Sequence, residues 1–555
     1  MRSAFSILAE AGRRDAARAM RRRGWAQTAV VFAFLALLTA IIFGAYFFFY
    51  HAFSGLLKDF LSGPLIIRYV LESAFAFVYV LGTASFVVSS GPRLFRDDSF
   101  RFLAALPIEP STLFAYQFVG LTLASSWPVL LIAAPALAAF GAVTGAGLFY
   151  GFFAASSLFL LVVGIALSGG LIAFAFAPLV RRLSRPLLAL TEILLFLGLA
   201  FALVRHVIPR TLVKMFEVYE TVQVPAAERR INEVFAWFPS HPLARAASSI
   251  LPTTQPAATA WELSVFVMAL MGAALLLWMI ARYSYLRLWQ SAGETGFLAR
   301  TEDAPGVRRL PFPRLLRWKH GFLFEKNLLQ FFRDGEMISR ASSLLLLLAL
   351  YVFAARALAV IASFDVPENF ARAVSFSFAA VGYIALTIAM RFAFPAPSLE
   401  ERRSWIIKSS PVHAHEMFSW NLFFWASLIA AAMVTVGALV SWVFGFPLVL
   451  TLFFIVCALC AAVTVTAVSL GQGTVFLDVE TRDPDAMSTS PAGLAAIAVC
   501  LAYLWVVTRY VYDFTLNLAD VGQTGLTPLI GVLIVSLALC GAYWAWAAKA
   551  VEGGQ

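Results

Sequence analysis

The sequence contains few charged residues. Asp, Glu, Lys and Arg make up 13% of its 555 residues, whereas a soluble domain carries about 25%. Hydrophobic residues account for 61% of the chain, and the mean hydropathy is +0.84. A globular core cannot absorb this much apolar surface. The composition therefore excludes an ordinary soluble protein and indicates that most of the chain lies in lipid.

Cysteine is also scarce, and no cysteine has a polar setting. All four cysteines lie in apolar runs: Cys457, Cys460, Cys500 and Cys540. Cys457 and Cys460 have the spacing of a redox or zinc motif, but no second ligand pair accompanies them. We interpret them as small core residues and expect no metal site. The phosphate-binding string G-x-x-x-x-G-K-[ST] does not occur anywhere in the chain.

Long apolar runs are what the sequence has in abundance. A helix needs about 20 apolar residues to cross a bilayer, and lipid offers no partner for a free backbone group. We therefore predict an all-α polytopic membrane protein with about twelve transmembrane helices. The predicted spans are 26–50, 67–90, 113–141, 145–178, 187–208, 259–283, 341–364, 370–394, 417–442, 447–472, 492–513 and 526–550.

Basic residues predict the orientation of these spans. They cluster in RRDAARAMRRR (13–23), in RRLSR (181–185) and in the stretch 284–340, which holds ten Lys or Arg. Since cytoplasmic loops are enriched in Lys and Arg, we expect both termini in the cytoplasm of a multi-pass inner (plasma) membrane protein. The net charge of +10 then indicates contact with anionic lipid and no nucleic-acid partner.

The chain also contains an internal repeat. Residues 93–118 align with residues 397–422 at an offset of 304, which places Pro107 on Pro411 and Asp97 on Glu401. An even number of spans per copy predicts two parallel six-helix repeats related by an axis along the membrane normal. The predicted organisation is a cytoplasmic interfacial helix (1–25), a first six-span half (26–283) with an extracytoplasmic loop (205–258), a basic cytoplasmic linker with an interfacial helix (284–340), and a second six-span half (341–555).

Each repeat places a short amphipathic stretch on the cytoplasmic side, between its second and third spans. Each stretch begins with acidic residues, continues through apolar and aromatic residues, and ends at a proline, as a helix lying flat on the membrane does. Inside the spans, Glu192 and Arg356 are the ionisable residues expected to face inward. They could line a substrate path or form an interhelical pair.

Several short motifs lie in the same order as in a known family. They are Leu106-Pro107-Ile108, Ser410-Pro411-Val412, Glu325 to Leu329 and Leu470 to Gly473. On these residues the chain resembles the permease subunits of type-2 ABC exporters, in the fused form with two six-span halves. The resemblance implies that the two amphipathic stretches are coupling helices that dock on two copies of a separate ABC ATPase subunit. The residues to which it gives that role are Asp97, Asp98, Arg101, Leu106, Pro107, Glu400, Glu401, Arg402, Arg403, Ser410 and Pro411.

On this reading the chain is not an enzyme. We expect no catalytic residues, no cofactor on this chain, and ATP and Mg on the partner subunits, which drive export of a hydrophobic or amphipathic substrate. Leu167 to Leu171 (LSGGL) nearly spells the ABC signature, but it lies inside an apolar run, and we interpret its glycines as sites of close helix packing. The alternative function is an ion-coupled secondary transporter that uses carboxylates within the membrane.

Overall fold

The computed structural model describes most of the apolar part of the chain. The described residues are 25–59, 63–95, 108–182, 224–249, 256–302, 321–333, 367–401, 413–477, 487–488, 490–521 and 527–552, with a few single positions between them. Within these ranges the backbone forms helices and turns and contains no β-strand. The all-α prediction is therefore confirmed for the described residues.

Fourteen helices account for these ranges. Several begin at a proline, among them those starting at Pro110, Pro256, Pro367 and Pro491, because proline is pre-set for the first helical turn, where its missing N–H costs nothing. The helices are α1 (Trp25–Asp59), α2 (Gly63–Phe95), α3 (Pro110–Val143), α4 (Leu148–Arg182), α5 (Val224–Phe235), α6 (His241–Ala247), α7 (Pro256–Glu302), α8 (Gly321–Arg333), α9 (Pro367–Phe392), α10 (Ala396–Glu401), α11 (Ala414–Phe444), α12 (Leu448–Val475), α13 (Pro491–Val521) and α14 (Thr527–Glu552).

Nine helices among the described residues are long and apolar enough to cross a membrane, as a multi-pass membrane protein requires. They are α1, α2, α4, α7, α9, α11, α12, α13 and α14. The sequence predicted twelve spans. Of the other three, 187–208 and 341–364 lie largely outside the described residues. The third falls in α3, where the apolar segment Val129–Val143 is shorter than a span.

The chain divides into two compact units, one over most of residues 38–308 and the other over residues 309–555. In the first unit α2, α3, α4 and α7 pack on one another, and the short helix α6 packs on α2, α4 and α7. Phe86, Phe140 and Leu161 are fully buried in its core. Tyr285 of α7 donates a hydrogen bond of 2.8 Å to the carbonyl oxygen of Leu94, which holds α7 against the end of α2.

The second unit is built around α12. This helix packs on α9, α11, α13 and α14, and the unit's core includes the fully buried Phe378, Phe424 and Phe454. Cys457 and Cys500 are buried members of the same core, which confirms their interpretation as core residues. The Cys540 thiol donates to Thr464 Oγ1 at 3.5 Å, so it joins α14 to α12.

Among the described residues, the same helix ending occurs once in each unit. α3 and α11 are each followed by a glycine in the left-handed conformation, Gly145 and Gly445, both with φ +66°. The following residue in each case donates back into the last helical turn, from Ala146 to the Gly141 carbonyl and from Phe446 to the Ser441 carbonyl, both at 2.9 Å. This is the hydrogen-bond pattern of a Schellman cap, which favours glycine because a Cβ is disfavoured at positive φ.

Candidate functional site

Most residues predicted to couple to a partner lie outside the described residues. This holds for the whole first stretch (Asp97, Asp98, Arg101, Leu106 and Pro107), for Arg402, Arg403, Ser410 and Pro411 of the second, and for the predicted path residues Glu192 and Arg356. Glu401 is the last residue of α10. Glu400 is the member of the set whose side chain is described, and its surroundings form the first part of the candidate site.

A bend in the backbone leads into the second stretch. α9 ends at Phe392, residues 393–395 form a turn, and α10 begins at Ala396. Pro395 lacks the N–H that would continue the α9 ladder. The backbone N–H of Phe394 donates to the Ala389 carbonyl at 2.9 Å, and α10 restarts with Leu399 donating to the Pro395 carbonyl at 3.0 Å. The break therefore redirects the chain at the point where the predicted coupling stretch starts.

The end of α12 supports this bend through Gly473. A Cβ at Gly473 would lie 2.0 Å from the carbonyl oxygen of Phe394, so the two backbones are too close for any side chain. Ser488 adds a second support, because its hydroxyl donates to the Met390 carbonyl at 2.6 Å. The motif Leu470 to Gly473 therefore has a structural role, which is to let α12 approach the α9–α10 turn.

Glu400 pairs with a residue of α8. Lys326 Nζ lies 3.0 Å from Glu400 Oε1, and the two side chains are 35% and 13% exposed. The next residue, Asn327, donates through Nδ2 to Asn421 Oδ1 of α11 at 2.6 Å, and both asparagines are buried. These two contacts join α8 to α10 and to α11. The start of the second predicted coupling stretch, which lies in α10, is therefore linked through α8 to α11.

Aromatic contacts seat α8 on its unit. The ring of Phe324 meets Phe424 edge-on at 5.3 Å between centroids, and Phe331 lies 6.3 Å from Trp425. In residues 321–333 the polar run Glu325, Lys326 and Asn327 lies between apolar residues. The sequence predicted an interfacial helix in this part of the linker. The structure has a helix there, and its aromatic face packs on α11.

The segment that follows the second predicted coupling stretch begins with a capped helix. The backbone N–H of His413 donates to Glu416 Oε2 at 3.3 Å, the arrangement of a capping box at the start of α11. The rings of His413 and His415 stack at 5.6 Å. Among the described residues no group of three His, Cys, Asp or Glu is placed to hold a metal ion.

The LSGGL string lies in the packed interior of the first unit. A Cβ at Gly169 would meet Phe86 of α2 at 2.6 Å, and one at Gly170 would meet Phe118 of α3 at 2.9 Å. Ser168 and Tyr79 share a hydrogen bond of 2.5 Å. These contacts fill the space around the string, and they confirm that its glycines permit close helix packing.

The structure also gathers a set of charged residues that sequence reasoning did not assemble. Glu72 of α2 lies 3.0 Å from Nδ1 of His241, and Arg245 lies 2.5 Å from Glu262 of α7. Arg68 donates to Asn232 Oδ1 at 2.5 Å and lies 3.7 Å from Glu228. We call this set the charge cluster; its members are Arg68, Glu72, Glu228, Asn232, His241, Arg245 and Glu262.

The charge cluster attaches the segment 224–249 to α2 and α7 of the first unit. Arg68 and Glu72 are four residues apart on α2, and His241 and Arg245 are four apart on α6, so each pair shares a helical face. All four side chains are nearly fully buried. One sequence feature could have indicated this cluster: Glu72 is an ionisable residue within a predicted span. Such residues are candidates for a functional role. Its partners lie about 170 residues away in the chain, which is why no local pattern revealed them.

Comparison with known proteins gives one match. The model of the ABC_tran_2 family, described as "Putative ATP-binding cassette", matches residues 25–521. The chain belongs to the ABC_tran_2 family. No curated protein and no solved structure matches the chain.

Membership of the ABC_tran_2 family corrects four expectations. The chain was expected to be a permease subunit, to act only by coupling to separate ATPase subunits, to lack an ATPase site, and to bind no cofactor. The family's description is an ATP-binding cassette, which assigns ATP binding to the family and overturns each of these. It equally overturns the alternative of an ion-coupled secondary transporter.

These expectations rested on the resemblance to permease subunits and on the absence of a single string. The absence of G-x-x-x-x-G-K-[ST] excludes one way of holding phosphates. Helix N-termini and the side chains of Lys and Arg hold phosphates as well. The absence of that string from this sequence therefore does not decide whether the chain binds ATP.

Proposed function

We propose that the chain is a membrane-embedded transport protein of the ATP-binding-cassette class, which uses ATP to move a substrate across the bilayer. The family match over residues 25–521 carries this proposal. The nine membrane-length helices among the described residues support the transport role, because a soluble nucleotide-binding protein has no use for them. Export is the proposed direction, since the motif order resembles that of exporters.

The proposal extends to the organisation of the membrane part. We place twelve spans in two parallel halves, in an inner (plasma) membrane, with both termini in the cytoplasm. Five helix pairings in the first unit have counterparts in the second: α2–α3 with α9–α11, α2–α4 with α9–α12, α3–α4 with α11–α12, α3–α7 with α11–α14, and α4–α7 with α12–α14. The Schellman caps at Gly145 and Gly445 are 300 residues apart and follow corresponding helices. Both observations support an internal repeat.

A partner protein belongs to the same proposal. The two cytoplasmic stretches are proposed to contact two copies of a separate ABC ATPase subunit. The ion pair between Lys326 and Glu400 supports this role for the second stretch, since it fixes the stretch's first turn to α8. A surface held on a rigid element transmits a push from a partner better than a free loop does.

The proposal is tested by labelling with nucleotide. The full chain is reconstituted in lipid nanodiscs and irradiated with a photoreactive azido-ATP in the presence of Mg²⁺. We expect a covalent label on this chain that excess ATP suppresses and excess AMP does not. No ATP-suppressible label on the chain, whether alone or mixed with an ABC ATPase subunit, would refute the proposed function.

The partner is tested separately by capture. Immobilised chain should retain an ABC ATPase subunit, and Glu400→Lys should reduce the amount retained. Glu368→Lys is the matched control, because Glu368 forms an exposed ion pair with Arg372 on α9. Equal retention by both variants would contradict the contact at the second stretch while leaving the nucleotide result unaffected.

A further inference from the structure

An apolar groove lies between α1 and α3 in the first unit. Its volume is about 360 Å³, which falls within the range of about 300–1,000 Å³ that is usual for small-molecule sites. α1 lines it with Ile42, Phe43 and Tyr46, and α3 lines it with Leu130, Ala134 and Ala138. Tyr46 carries the one polar side chain among these lining residues.

The groove arises from the small side chains of α3. Six of the ten residues from 133 to 142 are alanine, and short side chains leave space beside the helix. Pro135 also lines the groove; it cannot donate to the helix ladder, and proline inside a helix favours a kink. α1 presents large side chains across this space, so the groove has one low wall and one high wall.

An aromatic contact fixes the two walls next to the groove. The ring of Phe53 on α1 meets that of Phe140 on α3 edge-on at 5.8 Å between centroids, and both side chains are buried. Phe140 also meets Tyr150 of α4 at 5.8 Å. Phe140 lies less than one helical turn beyond Ala138, and Phe53 lies about two turns beyond Tyr46. The separation of α1 and α3 is therefore held at the end of the groove.

The open side of the groove faces lipid. α1 is one of the membrane-length helices, and Phe43 and Leu130, on opposite walls, are 58% and 39% exposed. Large apolar side chains exposed on such a helix lie against hydrocarbon. Water does not compete for the groove, because an apolar cavity offers it no hydrogen-bond partners and stays dry. The chemistry of the lining therefore selects an apolar chain.

The length of the groove indicates which apolar chain. From Leu130 to Ala138 the α3 wall extends over eight residues, or about 12 Å along the helix axis. One leaflet of the hydrocarbon core is about 15 Å thick, half of the full core of about 30 Å. An acyl chain of a membrane lipid extends over one leaflet, so the wall matches most of its length.

We propose that the α1–α3 groove is a binding site for one acyl chain of a bilayer phospholipid. A chain in the groove contacts α1 on one side and α3 on the other, whereas a lipid against a convex helix surface contacts protein on one side only. Because dispersion attraction grows with the number of atoms in contact, the chain in the groove is held more tightly than its neighbours in the bilayer. This inference does not depend on whether the chain uses ATP.

The proposal is tested by counting retained lipid. The full chain is transferred from phosphatidylcholine nanodiscs into a mild detergent, which exchanges with loosely held lipid, and native mass spectrometry counts the phospholipids that stay bound. We expect the wild type to retain phosphatidylcholine. Ala138→Phe, whose ring takes up the groove, should lower the fraction of chains that retain it by at least about tenfold, which corresponds to roughly 1.4 kcal/mol of binding free energy.

Two more variants make the test specific. Ala134→Leu fills the groove with a smaller side chain and should lower retention in the same direction. Ala134 and Ala138 are both exposed, so a larger side chain enters the groove without displacing the core. Gly44→Phe adds a ring to α1 two residues from both Ile42 and Tyr46, on the other side of the helix. Nothing lies within 4 Å of its Cβ position, and it should retain lipid as the wild type does.

A photoreactive lipid locates the bound chain. Phosphatidylcholine with a diazirine on one acyl chain is added to the nanodiscs, and the label on the peptide that contains residues 42–46 is quantified after irradiation. Ala138→Phe lies on the other wall, so it should lower this label on α1 only if the chain occupies the space between the two helices. Gly44→Phe should not lower the label on the α3 peptide that contains residues 130–138.

Four results would overturn the proposal. The first is a wild-type chain that retains no phosphatidylcholine. The second is equal retention by the wild type, Ala138→Phe and Ala134→Leu, and the third is an equal loss in Gly44→Phe. The fourth is a wild-type dimer that Ala138→Phe converts to a monomer without a change in bound lipid, which would assign the groove to a second copy of the chain.

Discussion

Replacing Gly473 with alanine tests the contact that supports the α9–α10 bend. The added Cβ would lie 2.0 Å from the Phe394 carbonyl oxygen, whereas real Cβ contacts below 3.0 Å essentially do not occur. The backbones must therefore separate by about 1 Å. A side chain could rotate away, but a carbonyl oxygen can move only with its peptide unit.

The expected cost follows from this geometry. Overpacking a dense interior typically costs about 1–3 kcal/mol, and we expect the upper end because backbone must shift. Alanine also gains about 1 kcal/mol of helix propensity over glycine. Gly541→Ala on α14 has the same gain without a clash, since nothing lies within 4 Å of its Cβ position. The difference between the two variants, about 3 kcal/mol, isolates the clash.

The assay compares thermal unfolding of the purified chain in one detergent. Gly473→Ala should unfold at least about 5 °C below Gly541→Ala, given the usual relation between stability and midpoint in domains of 150–250 residues. Capture of the proposed ABC ATPase subunit should fall as well, because the bend leads into the second proposed coupling stretch. Equal unfolding temperatures for the two variants would contradict the close approach of α12 to the α9–α10 turn.

Three further substitutions test other contacts. In a double-mutant cycle, Lys326 and Glu400 should couple by about 1 kcal/mol or less, because the lysine is 35% exposed to screening solvent. Replacing Asn421 with alanine should cost about 1–3 kcal/mol in unfolding free energy, since it leaves a buried amide donor without its acceptor. Gly145→Ala and Gly445→Ala should each lower the free energy of unfolding by about 1–2 kcal/mol, because both positions have φ +66°. Thermal unfolding of each variant measures this loss.

Each of these has a defined contrary outcome. A coupling energy of zero would mean that Lys326 and Glu400 do not interact in solution. Asn517→Ala, at an exposed position of α13, is the control for Asn421→Ala. An equal loss of unfolding free energy in the two variants would contradict a stabilising hydrogen bond between Asn327 and Asn421. A large cost at one capping glycine with none at the other would count against the corresponding turns of an internal repeat.

Local sequence features were sufficient for the helices and for several contacts. Apolar runs predicted the spans because a helix in lipid has to hide its backbone with apolar side chains over a fixed length. Gly169 and Gly170 were read as packing residues from their small size and apolar setting. The linker 284–340 was predicted to contain an interfacial helix because it mixes apolar and basic residues. Each of these inferences needs only neighbours within a few turns.

The site was harder to predict because its residues come from distant parts of the chain. Lys326 and Glu400 are separated by 74 residues, and Glu72 and His241 by 169. The sequence selected Glu192 and Arg356 as inward-facing residues, and both lie outside the described residues. Glu72, which lies in the predicted span 67–90, was not among the residues selected. Helix periodicity gives the face a residue occupies within its own helix, but not which other helix meets that face.

The function was misjudged for a related reason. ATP was assigned to partner subunits from the resemblance to permeases and from the missing phosphate-binding loop, although that loop is one local solution among several. The family match depends on the pattern of residues 25–521 as a whole, which no single motif conveys.

By itself the sequence determined that most of the chain lies in lipid, that its secondary structure is helical, and where most of the helices lie. These properties follow from hydrophobicity counted along short stretches. Only the tertiary structure decided which charges meet, why Gly473 must be glycine, and how the segment 224–249 is attached. Those features depend on distances between helices, and such distances are set by the packing of many side chains at once.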